Sequence, residues 1–384
     1  MFQPVSVVPC GDYQPERVRQ ALEKTLTALD IWKEIRPGMK IAVKANLITV
    51  CRPEKAATTH PVMLAELCRL LTERGAEVTV GDSPGGPFTP GYVRRVYAVA
   101  GLKAVEEAGA RLNDNFEERE ADFPEGVKAR KFLYTAWLDE ADLIINFAKL
   151  KTHAMMGMSA AVKNLFGTIP GTVKPEYHFR FPDGRDFAHM LVDLNVYFHP
   201  ALHLIDAVVA MEGNGPTAGT PRQMGCLLGS RSSSCADLLA ARLIGLSKEG
   251  VPTLAAGIQR GLCPETAEEL TVLGEWQSFC VTDYQVMEKL NSIEFRNEMK
   301  GMAGRVFGKA AAWAMCARPR LQPDICVGCG ECGQVCPAHA ITMEGGKPRI
   351  DTKRCIRCFC CQEFCPKGAM RLHRPAVARL LNKH

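Results

Sequence analysis

Eight cysteines late in the chain carry spacings suited to metal chemistry. Cys326, Cys329, Cys332 and Cys336 read C-x2-C-x2-C-x3-C-P, and Cys355, Cys358, Cys361 and Cys365 repeat that order. This is the spacing of thiolates that hold cubane 4Fe–4S clusters. Three closely spaced thiolates cap three irons on one side of a cubane. The fourth, followed by proline, leaves its loop and serves the other cubane. The expected sets are therefore Cys326, Cys329, Cys332 and Cys365 for one cluster, and Cys355, Cys358, Cys361 and Cys336 for the second. Zinc sites or disulfides are the competing use of so many thiols. Zinc pairs usually place a longer loop between two C-x2-C units, and neither run does so. Cys360 falls out of register and is expected beside a cluster without binding it.

A second group of polar residues lies in the first half of the chain. Lys44 and Asn46 follow one apolar run, and Asp82 and Ser83 follow another, ahead of Gly85-Gly86. Lys149, Lys151, Thr152 and His153 follow a third, and Asp206, Glu212 and Asn214 close a fourth. Any one of these loops alone is an ordinary turn. Four on one sheet edge predict a pocket. Lys151 and Lys163 would hold negative charge there. His153 would move a proton, because an ordinary imidazole titrates near neutrality. Lys44, Asn46, Asp82, Ser83 and Asn164 are the expected cofactor- or ligand-binding residues. The expected ligand is an anionic or carbonyl-bearing small molecule. Neither G-x4-G-K-[ST] nor G-x-G-x-x-G occurs in these loops, so no nucleotide signature is evident.

The elements that must carry these loops alternate. Val5–Val8, Lys40–Lys44, Glu77–Gly81, Leu143–Phe147, Leu202–Val209 and Cys226–Leu228 read as strands. Pro15–Leu29, the stretch from Pro61 to Arg74, Val93–Ala100, Leu102–Ala108 and Ser234–Ile244 read as helices. Such alternation predicts an α/β fold, a mostly parallel sheet flanked by helices. Ligands of such sheets sit at the carboxyl ends of the strands. The cysteine runs predict a separate C-terminal α+β, ferredoxin-like, two-cluster domain. The expected division is 1–300 for the α/β domain, 301–322 for a linker helix packing the two together, 323–375 for the cluster domain and 376–384 for a tail.

The composition, 47% hydrophobic and 23% charged in 384 residues, is that of a globular chain. No uncharged apolar run reaches the roughly 18 residues of a membrane span. The start lacks a secretory pattern, and seventeen cysteines without one point to a reducing cytoplasm. The net charge of +5 is uneven: from Leu321 onward ten Lys and Arg face five Asp and Glu. Anionic clusters account for that bias. Basic residues not interleaved with aromatics argue against nucleic acid.

The two cysteine runs resemble a two-cluster bacterial-type ferredoxin domain, over residues 323 to about 375. The stretches VKANL, AATTHP, VGDSPGG, KLKTHAMMGMSAAVKNLFGTIPG and MEGNGPTAGTPR resemble the domain-of-unknown-function 362 family, in order, over about residues 1 to 260. Members of that family often carry a ferredoxin segment. The resemblance implies an iron–sulfur protein of redox function and supplies no substrate. A local run, His153, Gly157, Ser159 and Lys163, is also similar to the nickel-pincer lactate racemases. There the histidine is an acid/base and the lysine holds the pincer cofactor. This chain departs from that pattern after Lys163, with only Tyr177-His178 near the racemases' metal-binding histidine.

Three functions follow from these readings. One is an oxidoreductase passing electrons from two 4Fe–4S clusters to a substrate in the α/β pocket, supplied by an electron donor or acceptor protein. Another is an electron-transfer module whose α/β part docks that partner. A third is a metal or cofactor maturation factor, or a nickel-pincer-like enzyme.

Overall fold

The computed structural model describes residues 2–286 and 318–373. Most of the expected linker helix, with its apolar face around Trp313, and the tail lie outside the described residues.

The first part is built on one nine-stranded sheet. In chain order its elements are β1 (Val5–Pro9), α1 (Pro15–Ala28), β2 (Lys40–Lys44), α2 (Pro61–Thr72), β3 (Glu77–Gly81), α3 (Pro90–Val99), α4 (Lys103–Glu107) and β4 (Arg111–Leu112). A hairpin off the sheet, β5 (Glu118–Asp122) and β6 (Lys131–Thr135), precedes β7 (Leu143–His153) and β8 (Gly157–Ser159). Then come α5 (Ala161–Asn164), α6 (Lys174–Arg180), α7 (Gly184–Phe198), β9 (Leu202–Glu212), β10 (Thr220–Ser230), α8 (Ser233–Leu243), α9 (Pro252–Gln259) and β11 (Val272–Leu273).

The sheet runs β11-β1-β10-β9-β7-β2-β3-β4, with β8 folded back on β7. The pairings along β9-β7-β2-β3-β4 are parallel. β10 inserts antiparallel between β1 and β9. The sheet is therefore mixed but mostly parallel. Helices cover both faces, which is why β2 can read Ile41-Ala42-Val43 with all three buried. The helices start where local chemistry allows. Pro61 opens α2 behind the His60 cap, whose Nδ1 accepts the Val62 amide. Asp183 and Ser232 cap α7 and α8 in the same way.

The C-terminal part is small. It holds β12 (Arg318–Leu321), α10 (Glu331–Gln334), β13 (Ile341–Glu344), β14 (Lys347–Ile350), α11 (Cys360–Glu363) and β15 (Met370–His373). β12 pairs β15 and β13 pairs β14, both antiparallel. The β13–β14 turn is Gly345-Gly346, both at positive φ, the two-residue hairpin geometry that glycine admits without strain.

Candidate functional site

β7 supplies the frame. It continues to His153, six residues beyond the expected Phe147, and its alternation sets Lys149, Lys151 and His153 on one face. Each polar end is satisfied at long range. Lys149 Nζ donates to Asp206 at 2.8 Å and to the Tyr13 hydroxyl at 2.8 Å. Tyr13 in turn stacks on His60, with ring centroids 3.6 Å apart. Lys151 Nζ donates to Asn46 Oδ1 at 2.6 Å and to the Ala57 carbonyl at 2.5 Å. Burial, reinforced by Lys163, lowers the Lys151 ammonium to about 7.

His153 differs from the sequence expectation. It is fully buried, and its Nδ1 accepts the amides of Met155 at 3.1 Å and Met156 at 3.2 Å. That leaves the proton on Nε2, 2.7 Å from Glu363 Oε1. Burial, with Lys163 beside it, lowers this imidazole to about 4. His153 is therefore a neutral donor that fixes Glu363, not an imidazole titrating near neutrality. The reason is local: the β7–β8 turn spends Nδ1 on two backbone N–H groups, so a second proton has no place to sit.

Beneath the pocket lies a buried ion pair. Lys44 Nζ is 2.7 Å from Asp82 Oδ1, and both side chains are within 2% of full burial. Lys44 also donates to Asn164 Oδ1 at 2.9 Å and the Ala45 carbonyl at 2.7 Å. Asp82 Oδ2 accepts the Leu47 amide at 2.7 Å. Asn164 Nδ2 reaches Asn146 Oδ1 at 2.8 Å. Gly167 passes so close that a Cβ there would strike Asp82 Oδ1 and Lys44 Nζ; this loop needs its glycine for close approach.

Above this pair is a small cavity that opens to solvent. Asn46, Asp82, Ser83, Asn164, Lys151 and Lys163 all line it, so six of the expected pocket residues converge there; Lys44 lies behind the wall and His153 beside it. Sequence reasoning missed Lys174, Glu363 and Phe364. It noted His178, also on the wall, only as an approximate counterpart. Lys174 Nζ is bound to the Ser83 carbonyl, and burial lowers it to about 7. Lys163 sits over the Phe166 ring, 5.3 Å from its centroid. Burial lowers it too, against the pull of Glu363. Ser83 Oγ and His178 Nδ1 are buried without a hydrogen-bond partner among the described residues, and burial holds His178 neutral, at about 3. A cavity with several ammonium groups and two unsatisfied polar atoms suits a polar, anionic guest.

Glu363 and Phe364 belong to the cysteine-run segment. The Phe364 ring packs on Gly85, where a Cβ would sit 2.8 Å from it. Gln362 Nε2 donates to Asn214 Oδ1 at 2.6 Å and to the Gly215 carbonyl at 3.3 Å. Thr217 donates to the Glu363 carbonyl, and Phe359 is buried against Ala154. The second cysteine run thus forms one wall of the cavity. Burial alone would raise the Glu363 carboxyl, but His153 and Lys163 outweigh it and hold the group below the usual carboxylate range.

The thiols bound two further cavities. Cys326, Cys329, Cys332 and Cys365 line the first, and Cys336, Cys355, Cys358 and Cys361, with Cys360, line the second. Among the described residues no three His, Cys, Asp or Glu side chains converge on a single ion. Thiols arrayed round a volume fit a cubane, whose irons are capped at separate corners, better than one tetrahedral ion. Gly328 and Gly330, both at positive φ, let the first loop bend round its cavity. The described cysteines are all free thiols.

A mostly parallel α/β sheet with a thiol-rich segment on its ligand edge defines an iron–sulfur protein with a ferredoxin-type electron-transfer unit. Comparison with known proteins gives the family. Residues 41–242 match the model of the Domain of unknown function (DUF362), and residues 318–366 match a 4Fe-4S dicluster domain. A thylakoid-associated protein of Synechocystis sp. is 30% identical over 306 residues, covering 77% of this chain and 91% of its own. The chain belongs to the DUF362 family and binds 4Fe–4S clusters through its dicluster domain. Among solved structures, the lactate racemase apoprotein of Thermoanaerobacterium thermosaccharolyticum is similar at TM-score 0.40 and 15% identity, over 63% of this chain and 56% of that one. A Thermotoga maritima protein is similar at TM-score 0.36 and 13% identity, over 56% and 55%. The chain spans little more than half the length of either. Among the described residues no helix is long and apolar enough to cross a membrane.

Proposed function

We propose that this protein is an oxidoreductase that passes electrons from two 4Fe–4S clusters to a small anionic, carbonyl-bearing substrate in the cavity above the Lys44–Asp82 pair. The observation that carries the reading is the shared wall: Glu363 and Phe364 of the second cysteine run line the same cavity as Lys151, Lys163 and Lys174. Cys326, Cys329, Cys332 and Cys365 would hold one cluster. Cys355, Cys358, Cys361 and Cys336 would hold the other, nearer the cavity. When bound, each cluster supplies one-electron chemistry. Reduction of a carbonyl to an alcohol would consume two electrons, one from each cluster, and two protons, one from Lys151 and one from solvent.

The protein's own groups do the rest. Lys163 lines the cavity, makes no hydrogen bond among the described residues, and would bind the substrate's negative charge. Lys151, lowered to about 7, is matched to proton donation near neutral pH. Asn46 orients it, at 2.6 Å. His153 serves as a positioning residue through Glu363. No flavin or nicotinamide signature is evident, so an external redox protein would supply the electrons. Free thiols in every described position favour a reducing compartment, the cytoplasm.

The test is anaerobic. Dithionite-reduced protein is mixed with pyruvate, oxaloacetate and 2-oxoglutarate, and reoxidation is followed by visible absorbance. Reoxidation by at least one acid, abolished by Lys163→Ala with iron content intact, supports the proposal. Failure of all three to reoxidise the protein or to bind it would leave the electron-transfer module as the better reading.

A further inference from the structure

The ammonium groups round the cavity outnumber the groups that hold them. Lys151, Lys163 and Lys174 line it, from β7, α5 and α6. Lys44 lies behind the wall. The carboxylates lining the cavity are Asp82 and Glu363, so four ammonium groups face two carboxylates and two positive charges are left over. His153 and His178 add none, since burial keeps both imidazoles neutral. An ammonium has three N–H donors. Lys44 uses all three, on Asp82, Asn164 and the Ala45 carbonyl. Lys151 uses two, on Asn46 Oδ1 and the Ala57 carbonyl. Lys174 uses two, on the Ser83 and Pro84 carbonyls. Lys163 uses none among the described residues. One N–H of Lys151, one of Lys174 and three of Lys163 are left, beside the buried Ser83 hydroxyl. The thiols of the second cysteine run border a separate cavity, so a cluster there would act at a distance and bring no oxygen to these donors.

We infer that the guest of this cavity is a small dicarboxylate, bound as a dianion. This rests on the proposed reading of the cavity as the substrate site; with the proposed reduction, it makes the substrate a 2-oxo diacid rather than a monoacid such as pyruvate. A monoanion would leave one buried positive charge uncompensated, which is costly. In the empty cavity burial pulls Lys151 and Lys174 down to about 7, and a second carboxylate is what keeps both protonated. Two carboxylates also bring four oxygens to the unused N–H groups. Those groups come from three separate elements, which suits two carboxylates better than one tetrahedral phosphate. The loop before Gly86 offers no phosphate cradle either. The Ser83 amide donates to the Gly167 carbonyl at 3.1 Å and the Gly85 amide to the Ile48 carbonyl at 2.6 Å, so neither is free to form an anion-binding nest. Lys163 Nζ and Lys174 Nζ lie 5.3 and 5.9 Å from the centroid of the same cavity-lining ring, Phe166, so one small molecule can reach both. Lys174 and His178 are four residues apart on α6 and share a face. His178 is held by stacking on Phe187, with centroids 4.4 Å apart. Lys174, His178 and Ser83 make the end that takes the second carboxylate; Lys151 and Lys163 take the first.

The experiment uses the full, cluster-loaded chain, anaerobic and oxidised, so that no electron moves. Oxalate and oxamate are nearly alike in size and shape, but oxalate is a dianion and oxamate a monoanion. Their affinities are measured by calorimetry at a pH below the lowered values of Lys151 and Lys174, with inorganic phosphate as a third probe. Oxalate should bind about tenfold tighter than oxamate, or more, and tighter than phosphate. Lys174→Gln should bring the oxalate-to-oxamate ratio close to one, and Lys174→Arg should keep most of it. The ratio is taken within one protein, so a lower folded fraction cancels. If the glutamine variant does not hold its iron, the wild-type ratio decides. Equal wild-type affinities for oxalate and oxamate would overturn the inference. So would tighter binding of phosphate, or no binding of any probe. A ratio unchanged in Lys174→Gln would overturn the place given to the second carboxylate. The two proposals fail separately. A preference for oxalate with no reoxidation by any oxo acid would leave the dicarboxylate site standing without the electron transfer. Reoxidation by pyruvate, with oxalate and oxamate bound equally, would do the reverse.

Discussion

Glu363 offers the sharpest perturbation, because one carboxylate links the cysteine-run segment to the sheet. Its Oε1 is 2.7 Å from His153 Nε2, its side chain is 11% exposed, and Lys163 is its charged neighbour. Glu363→Ala leaves the His153 N–H without an acceptor and Lys163 without its counter-charge. Breaking a buried pair from one side costs about 3–5 kcal/mol. Glu363→Gln keeps the volume and an amide oxygen for His153, so only the charge is lost. A hydrogen bond to a charged group contributes about 1.5–3 kcal/mol, and the neutral replacement retains part of that. The expected cost of the glutamine variant is therefore about 1–2 kcal/mol. For a unit of this size each kcal/mol moves Tm by about 2–4 °C. Alanine should lower Tm by roughly 6 °C or more, and glutamine by about half as much. Scanning calorimetry under anaerobic conditions, with iron content checked, measures both. Equal losses below about 1 kcal/mol for the two variants would refute the bridging role. So would a glutamine variant worse than alanine.

Four other outcomes are expected. By the two-cubane assignment, anaerobic protein should carry about eight iron and eight sulfide per chain; Cys360→Ser should keep nearly all of it, while Cys336→Ser or Cys365→Ser should lose a cluster. His153, His178 and His203 are all buried and lowered to between about 3 and 4. The unfolded chain then binds protons first, so stability should be full above pH 6.5 and fall as pH drops toward 4, by up to about 1.4 kcal/mol per pH unit per histidine; His203→Asn should flatten that slope in urea titrations. Lys151 and Lys174, both at about 7, should take up protons when an oxo acid binds, so affinity weakens above pH 7 and calorimetric heats vary with buffer ionisation enthalpy. Arg320→Glu should stabilise the ribbon slightly, by about 0.5 kcal/mol, by pairing with Arg371.

The parts of the fold legible in the sequence are those decided locally. β1, β2, β3, α1 and α2 lie within a residue or two of where buried runs and helical spacing place them, because proline starts and apolar faces act over a few residues. β7 is legible only as far as Phe147. Beyond it Lys149 and Lys151 look like loop residues, since the partners that allow them to be buried, Asp206 and Asn46, are 57 and 105 residues away. α7 is not among the expected helices, although its Asp183 cap is local. The site divides the same way. Loops at strand ends pointed to Asn46, Asp82, Ser83 and Lys151, because topology alone brings such loops together. Glu363 and Phe364 gave no sign, being set among cysteines whose spacing spoke only of iron. His153 departs from the expected neutral-range imidazole because its protonation depends on two backbone amides of a turn not visible in the sequence. The misplaced bulk of Phe359, Gln362 and Phe364, against Gly330, Gly333 and Val335 at the same places in the first run, is the signal that marks the second run as the docked one.

The central claim is that the cavity and the cluster of Cys355, Cys358, Cys361 and Cys336 form one electrostatic unit. A unit charge at about 10 Å, with an effective dielectric of about 20, is worth about 1.7 kcal/mol, or roughly 70 mV for one electron. The direct measurement is an electron-paramagnetic redox titration of the anaerobic protein with and without saturating oxalate, an anion without a ketone for the protein to reduce. The account predicts that one cluster's potential falls by tens of millivolts while the other's stays fixed, and that Lys163→Ala erases the shift. Two potentials that move together, or neither moving while oxalate binds, would contradict it.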